Sequence, residues 1–103
     1  LPWEKAKAFD GSAVVGTFYP KEQFDLANLK FQLYKNDKIV QDGNTNEMLW
    51  KTDELISYVS QYFTLKKGDL IFTGTPAGVG KVIENDVLKG LIDGKEAFNI
   101  RVK

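Results

Sequence analysis

Leu29-Lys30-Phe31-Gln32-Leu33-Tyr34-Lys35-Asn36-Asp37-Lys38-Ile39-Val40-Gln41 is the stretch that decides the architecture. Leu29, Phe31 and Leu33 alternate with Lys30, Gln32 and Tyr34, the period-two pattern of a strand with one face against a core. Asn36-Asp37 supplies turn chemistry and Lys38 to Gln41 returns, so the stretch predicts a β-hairpin. A second hairpin is predicted at the C-terminal end. There Val87 to Ile92 leads into Asp93-Gly94, a strong two-residue hairpin signal, and Ala97-Phe98-Asn99-Ile100-Arg101-Val102 alternates again.

Between and before the hairpins the signals are weaker. Ala13-Val14-Val15 and Thr17-Phe18-Tyr19, ended by Pro20, read as a strand, and residues 21–28 read as a loop. Asp42-Gly43-Asn44-Thr45-Asn46 has turn composition. Its Asp-x-Asn-x-Asn spacing fails as a calcium loop, because Glu47 stands where the sharp turn needs Gly and Asp53 where the bidentate Glu belongs. Thr52 is placed to cap a helix whose first turn carries Asp53 and Glu54, and Leu55, Ile56, Val59, Tyr62 and Phe63 fall on one helical face, expected to pack into the core. Pattern alone thus gives about six strands and one main helix, a mainly β (α+β) domain.

The chain has 103 residues, 43% hydrophobic and 13% aromatic, enough for one modest core and one domain spanning residues 1–103. Fourteen Lys and Arg balance fourteen Asp and Glu. With no block of five like charges, nothing points to nucleic acid or an anionic membrane, and a small molecule is the expected partner. No stretch is long and apolar enough for a transmembrane helix. The absence of Cys removes disulfides and thiolate chemistry and is compatible with a cytoplasmic location. The absence of His removes the commonest general base. The only methionine is Met48 and the chain begins at Leu1, which suggests processing or truncation.

The remaining stretch, Gly68-Asp69-Leu70-Ile71-Phe72-Thr73-Gly74-Thr75-Pro76-Ala77-Gly78-Val79-Gly80, carries the candidate site. A short apolar run, Leu70-Ile71-Phe72, reads as a strand that stops at a loop rich in Gly and Pro. Thr73 and Thr75 would share one face if extension persisted, and the N–H groups of Ala77 and Gly78 could line an anion-sized concavity. A turn between two strands would have the same composition. Two phosphate motifs fail here. Counting back from Gly80-Lys81 puts Thr75 where a P-loop needs its first Gly, and Val82 replaces the metal-binding hydroxyl. In the dinucleotide fingerprint Ile83 occupies the last Gly position.

The same run resembles the signature of the fumarylacetoacetate hydrolase family. Ala6-Lys7-Ala8-Phe9-Asp10, Gln41-Asp42-Gly43-Asn44-Thr45 followed by Met48, and Leu55-Ile56-Ser57-Tyr58-Val59-Ser60 extend the resemblance across the chain. It covers the C-terminal half of the family's catalytic domain. The resemblance implies a mixed β-roll or sandwich with one main helix, incomplete in this chain, commonly a homodimer, with open edges covered by another copy or a complementary N-terminal segment. It implies a magnesium- or manganese-dependent enzyme acting on 2-oxo acids: an acylpyruvate or fumarylpyruvate hydrolase, an oxaloacetate decarboxylase or a dienedioate isomerase. The family's metal ligands and its His-Glu base are expected upstream of this chain, which would also account for the missing His. Lys7 matches the family's active-site lysine, where an ammonium would stabilise a developing enolate. Thr75 matches the threonine that holds the substrate carboxylate, with the backbone at Gly74 assisting. The resemblance gives Gln41 no role. The alternative is a non-catalytic binding or assembly fragment, inactive on its own.

Overall fold

The computed structural model describes residues 13–103. Strands β1 (Lys30–Lys35) and β2 (Lys38–Asn44) form the first hairpin, and β3 (Val87–Ile92) and β4 (Lys95–Arg101) the second. The four make one antiparallel sheet in the order β2-β1-β3-β4. Both turns take the backbone their residues favour, with positive φ at Asn36 (51°) and Asp37 (66°) and at Asp93 (47°) and Gly94 (81°).

Cross-strand pairing fixes which side chains share a face. Phe31 lies opposite Gly43 and Ile92, Leu33 opposite Gln41 and Gly90, and Gly90 opposite Phe98, which makes one face largely apolar. The other carries Gln32, Tyr34, Asp42, Lys89 and Asn99, with the Lys89 ammonium 5.5 Å from the centre of the Tyr34 ring. Each hairpin contains one ladder irregularity. Val40 is left without a partner between Ile39 and Gln41, and Ala97 between Glu96 and Phe98.

The two hairpins are joined by a polar knot. The Asn36 side chain accepts from the Val87 N–H at 2.9 Å and donates to Asp86 at 2.8 Å. The second Asp86 oxygen accepts from the Ile83 N–H at 2.9 Å. The Ile83 N–H and then the Asn36 amide hold the Asp86 carboxyl below its ordinary value of 3.8, with a smaller push in the same direction from Lys35 and an opposing one from burial.

Several local expectations need correction. Residues 13–19 are not a strand: a lone backbone bond, Thr17 N–H to the unpaired Ala97 carbonyl at 2.8 Å, ties them to the edge of β4. Gly16 beside it lies so close that a side chain would meet the same carbonyl. Leu70-Ile71-Phe72 is likewise unpaired, so four strands replace the expected six among the described residues. Asp42 to Asn44 finish β2, and the turn falls later, in a 3-10 segment at Thr45–Glu47. Helix α1 (Thr52–Ser60) begins one residue before the expected start: Lys51 is its N-cap and Thr52 is already helical, with no side-chain cap. The acidic first turn is as expected. The helix is not core packing, since Leu55 and Val59 are only half-buried and Ile56, Tyr62 and Phe63 are exposed.

No hydrophobic side chain is buried among the described residues. The chain exposes 8710 Å², about half again the roughly 5,800 Å² that surface scaling gives a compact protein of this mass. The described residues therefore form an open four-stranded sheet with one helix, and the most exposed large apolar side chains lie off the sheet, among them Phe18, Leu49, Phe72 and Val79.

Candidate functional site

The loop across the apolar face begins at a turn in which Asp69 accepts from the Lys66 N–H at 2.8 Å and Gly68 takes φ 95°. From Leu70 to Gly80 no backbone group pairs with another among the described residues. One side chain ties the loop to the sheet instead. The Gln41 amide nitrogen donates to Thr75 Oγ at 2.8 Å and to the Pro76 carbonyl at 3.0 Å, and lies 3.5 Å from the Ala77 carbonyl. Gln41 reaches the loop because its place opposite Leu33 puts an amide on the otherwise apolar face.

A second tether is steric. Gly78, at φ 103°, approaches the unpaired Val40 carbonyl so closely that a Cβ would overlap it. Gly74 at φ 93° has open space around its Cα. Thr75 and Gly74 then stand on a ridge between two hollows. One, of about 470 Å³, is bounded by Phe31, Leu33, Phe72 and Phe98; the other, of about 880 Å³, by Met48, Leu55, Tyr58 and Thr73. More of their lining comes from the loops and the helix than from the sheet, and their size identifies no ligand. The polar groups on the ridge are the informative ones. The N–H groups of Gly74 and Thr75, and those of Ala77 and Gly78 further along the loop, have no acceptor among the described residues.

The structure thus brings Thr75 and Gly74 to the same ridge, while Thr73 lines only the larger hollow. Lys7 lies outside the described residues. Gln41 is the residue whose role sequence reasoning missed. A signal existed, since an amide opposite Leu33 on an apolar face requires a polar partner, but the partner could not be named without knowing where the loop crosses.

A divalent ion needs several oxygen or nitrogen ligands converging on one point. No group of three or more Asp, Glu, His or Cys side chains that could hold one occurs among the described residues. These residues do not fit a metal. No helix among them is long and apolar enough to cross a membrane.

The described residues thus present an open antiparallel sheet with a Gly- and Pro-rich loop strapped across one face. The chain belongs to the fumarylacetoacetate hydrolase family: the family description "Fumarylacetoacetate (FAA) hydrolase C-terminal" matches residues 1–102. It is 44% identical to mouse "Oxaloacetate tautomerase FAHD1, mitochondrial", covering 100% of this chain and 47% of that protein. Against "Oxaloacetate tautomerase YcgM" of Escherichia coli it is 45% identical over 90% of this chain and 43% of the relative. A crystal structure of fumarylpyruvate hydrolase from Pseudomonas aeruginosa, in complex with Mn2+ and pyruvate, superposes with a TM-score of 0.89 at 39% identity, over 98% of this chain and 44% of that one. The chain spans about half the length of the relatives it matches.

Proposed function

We propose that this chain forms the carboxylate-binding wall of an enzyme site for small 2-oxo acids. The observation that carries the reading is Thr75, fixed by Gln41 at 2.8 Å on a ridge of free backbone N–H groups, in a chain 39% identical to a fumarylpyruvate hydrolase whose structure holds Mn2+ and pyruvate. A hydroxyl and unpaired backbone N–H groups along one short loop suit a carboxylate, which can accept from such donors. Gly74 contributes backbone, and its open surroundings leave room for an anion to approach.

The reaction class proposed is cleavage or rearrangement through an enolate: hydrolysis of an acylpyruvate or fumarylpyruvate, decarboxylation or tautomerisation of oxaloacetate, or isomerisation of a dienedioate. Lys7 is the proposed catalytic residue, whose ammonium would stabilise a developing enolate. Magnesium or manganese is the proposed cofactor, held by residues other than the described ones. The described residues bind and orient the substrate carboxylate. Relatives are named for mitochondrial as well as bacterial proteins, so the reading concerns the chemistry and not a compartment. The proposed assembly is a homodimer, or a closed domain with a complementary N-terminal segment. The exposed apolar side chains outside the sheet, among them Phe18, Leu49 and Phe72, support that reading.

The test is turnover of oxaloacetate and of an acylpyruvate by the full-length protein with added magnesium, comparing wild type with Lys7→Ala. Lys7→Ala is expected to lose most of the activity, since removing one preorganised charge-stabilising group costs about a hundredfold or more. Full turnover by that variant would remove Lys7 from the chemistry. No turnover of any 2-oxo acid by the wild type, together with metal-independent oxalate binding, would leave a binding module in place of an enzyme.

A further inference from the structure

We infer that Gln41 is a positioning residue that commits Thr75 to donating its hydroxyl hydrogen, and so selects an anionic group at the ridge. The inference rests on the reading of Thr75 as the carboxylate ligand.

Carbonyl oxygens at Pro76 and Ala77 can only accept, so the nitrogen of Gln41, not its oxygen, must face them. The amide has two hydrogens, and the two short contacts, 2.8 Å to Thr75 Oγ and 3.0 Å to the Pro76 carbonyl, use both. Thr75 is therefore the acceptor in its bond with Gln41. A hydroxyl that accepts there keeps its own single hydrogen for another partner. That hydrogen cannot return to Gln41, whose nitrogen has no acceptor capacity, so it is presented to the open side of the ridge. A carboxylate oxygen is the group that gains most from it, because a bond to an ionised acceptor is shorter and stronger than one to a neutral acceptor.

The same side chain sets where Thr75 sits. Among the described residues no other hydrogen bond joins the sheet to residues 73–78, the next lying beyond them, from the Lys35 ammonium to the Lys81 carbonyl at 3.1 Å. Losing the Gln41 amide would release both the direction of the hydroxyl and the position of the loop.

The experiment measures oxalate binding calorimetrically, with magnesium present, to the full-length protein carrying Gln41→Leu, Gln41→Glu, Thr75→Val, or Gln41→Leu combined with Thr75→Val. Unfolding midpoints without ligand are recorded in parallel. Thr75→Val is expected to weaken oxalate roughly 10- to 100-fold, the range for a hydrogen bond to a charged group. Gln41→Leu is expected to weaken it comparably, and the combined variant no further than Thr75→Val, because both remove one interaction. Gln41→Glu is close to isosteric. It places a carboxylate against the Pro76 carbonyl and accepts the Thr75 hydrogen, so it is expected to weaken oxalate at least as much. A purely structural role for Gln41 would lower the unfolding midpoint while leaving the two effects additive, and that result would overturn the inference. Wild-type affinity in both Gln41 variants, with Thr75→Val impaired, would overturn it while leaving the reading of Thr75 intact. Wild-type affinity in Thr75→Val would remove that reading itself.

Discussion

Three glycines in one loop meet the same substitution under three different conditions. Gly80 lies outside the positive-φ region with nothing within 4 Å of a new Cβ, Gly74 has φ 93° in open space, and Gly78 has φ 103° against the Val40 carbonyl. Gly80→Ala is expected to be neutral or to stabilise by up to about 1 kcal/mol, through the less flexible unfolded chain. Gly74→Ala is expected to carry backbone strain alone, about 1 to 3 kcal/mol. In Gly78→Ala the new Cβ would also stand 3.2 Å from the Val40 carbonyl carbon and 3.1 Å from Gln41 Cγ. Val40 is held between paired residues of β2, so the loop must move. Moving it gives up the two short Gln41 bonds, each a net contribution of about 0.5 to 1.5 kcal/mol. With no backbone ladder to lose, the loop lifts away before the strain can grow, and the cost of Gly78→Ala saturates near 1 to 3 kcal/mol. Its signature is the released amide: the Gln41 side-chain NH2 resonances should shift towards free-amide positions, and oxalate affinity should fall about tenfold or more. Urea unfolding, the side-chain amide spectrum and oxalate titration of the full-length protein measure all three variants. If Gly78→Ala matched Gly80→Ala in every readout, the close approach to Val40 would have no energetic meaning.

Two further outcomes follow from the knot between the hairpins. Because the folded Asp86 carboxyl lies below its ordinary value of 3.8, its contribution is fully present above that pH and is lost as pH falls through the lowered value. Asp86→Asn should therefore destabilise at neutral pH, and the gap to wild type should close below pH 3.8, as followed by denaturant titration across pH. Asn36→Gly keeps the φ 51° turn but deletes the bonds to Val87 and Asp86. About 1 to 3 kcal/mol should be lost, against about 0.5 or less for Asp37→Gly at φ 66°, both read from urea unfolding midpoints.

The hairpins were legible because their turns carry their own chemistry. Asn36-Asp37 and Asp93-Gly94 occupy positive φ at low cost, and the alternation around them can satisfy only one register. Residues 13–19 and 70–72 misled for the opposite reason. Their apolar composition reports a segment lying against an apolar face, whereas a strand also needs a neighbour to complete its ladder. The helix was found by its period, but its packing was not, because the partner surface for Ile56, Tyr62 and Phe63 is not among the described residues. At the site, composition drew attention to Thr73 and Thr75 alike, and it was the family resemblance that singled out Thr75 and Gly74. Gln41 did not, since the one-residue step at Val40 that accompanies its placement has no mark in the sequence.

That step at Val40 also separates two things usually linked. Residues 41–44 pair with β1 on one side of it and residues 38–39 on the other, each in regular register. Removing Val40 would restore a continuous ladder without altering any other pair, and would take away the carbonyl on which Gly78 rests. Where the loop crosses the sheet thus depends on a single insertion in a strand as well as on the Gln41 amide. A change of one residue, distant in sequence from Thr75, could move the ridge while leaving every residue on it unchanged.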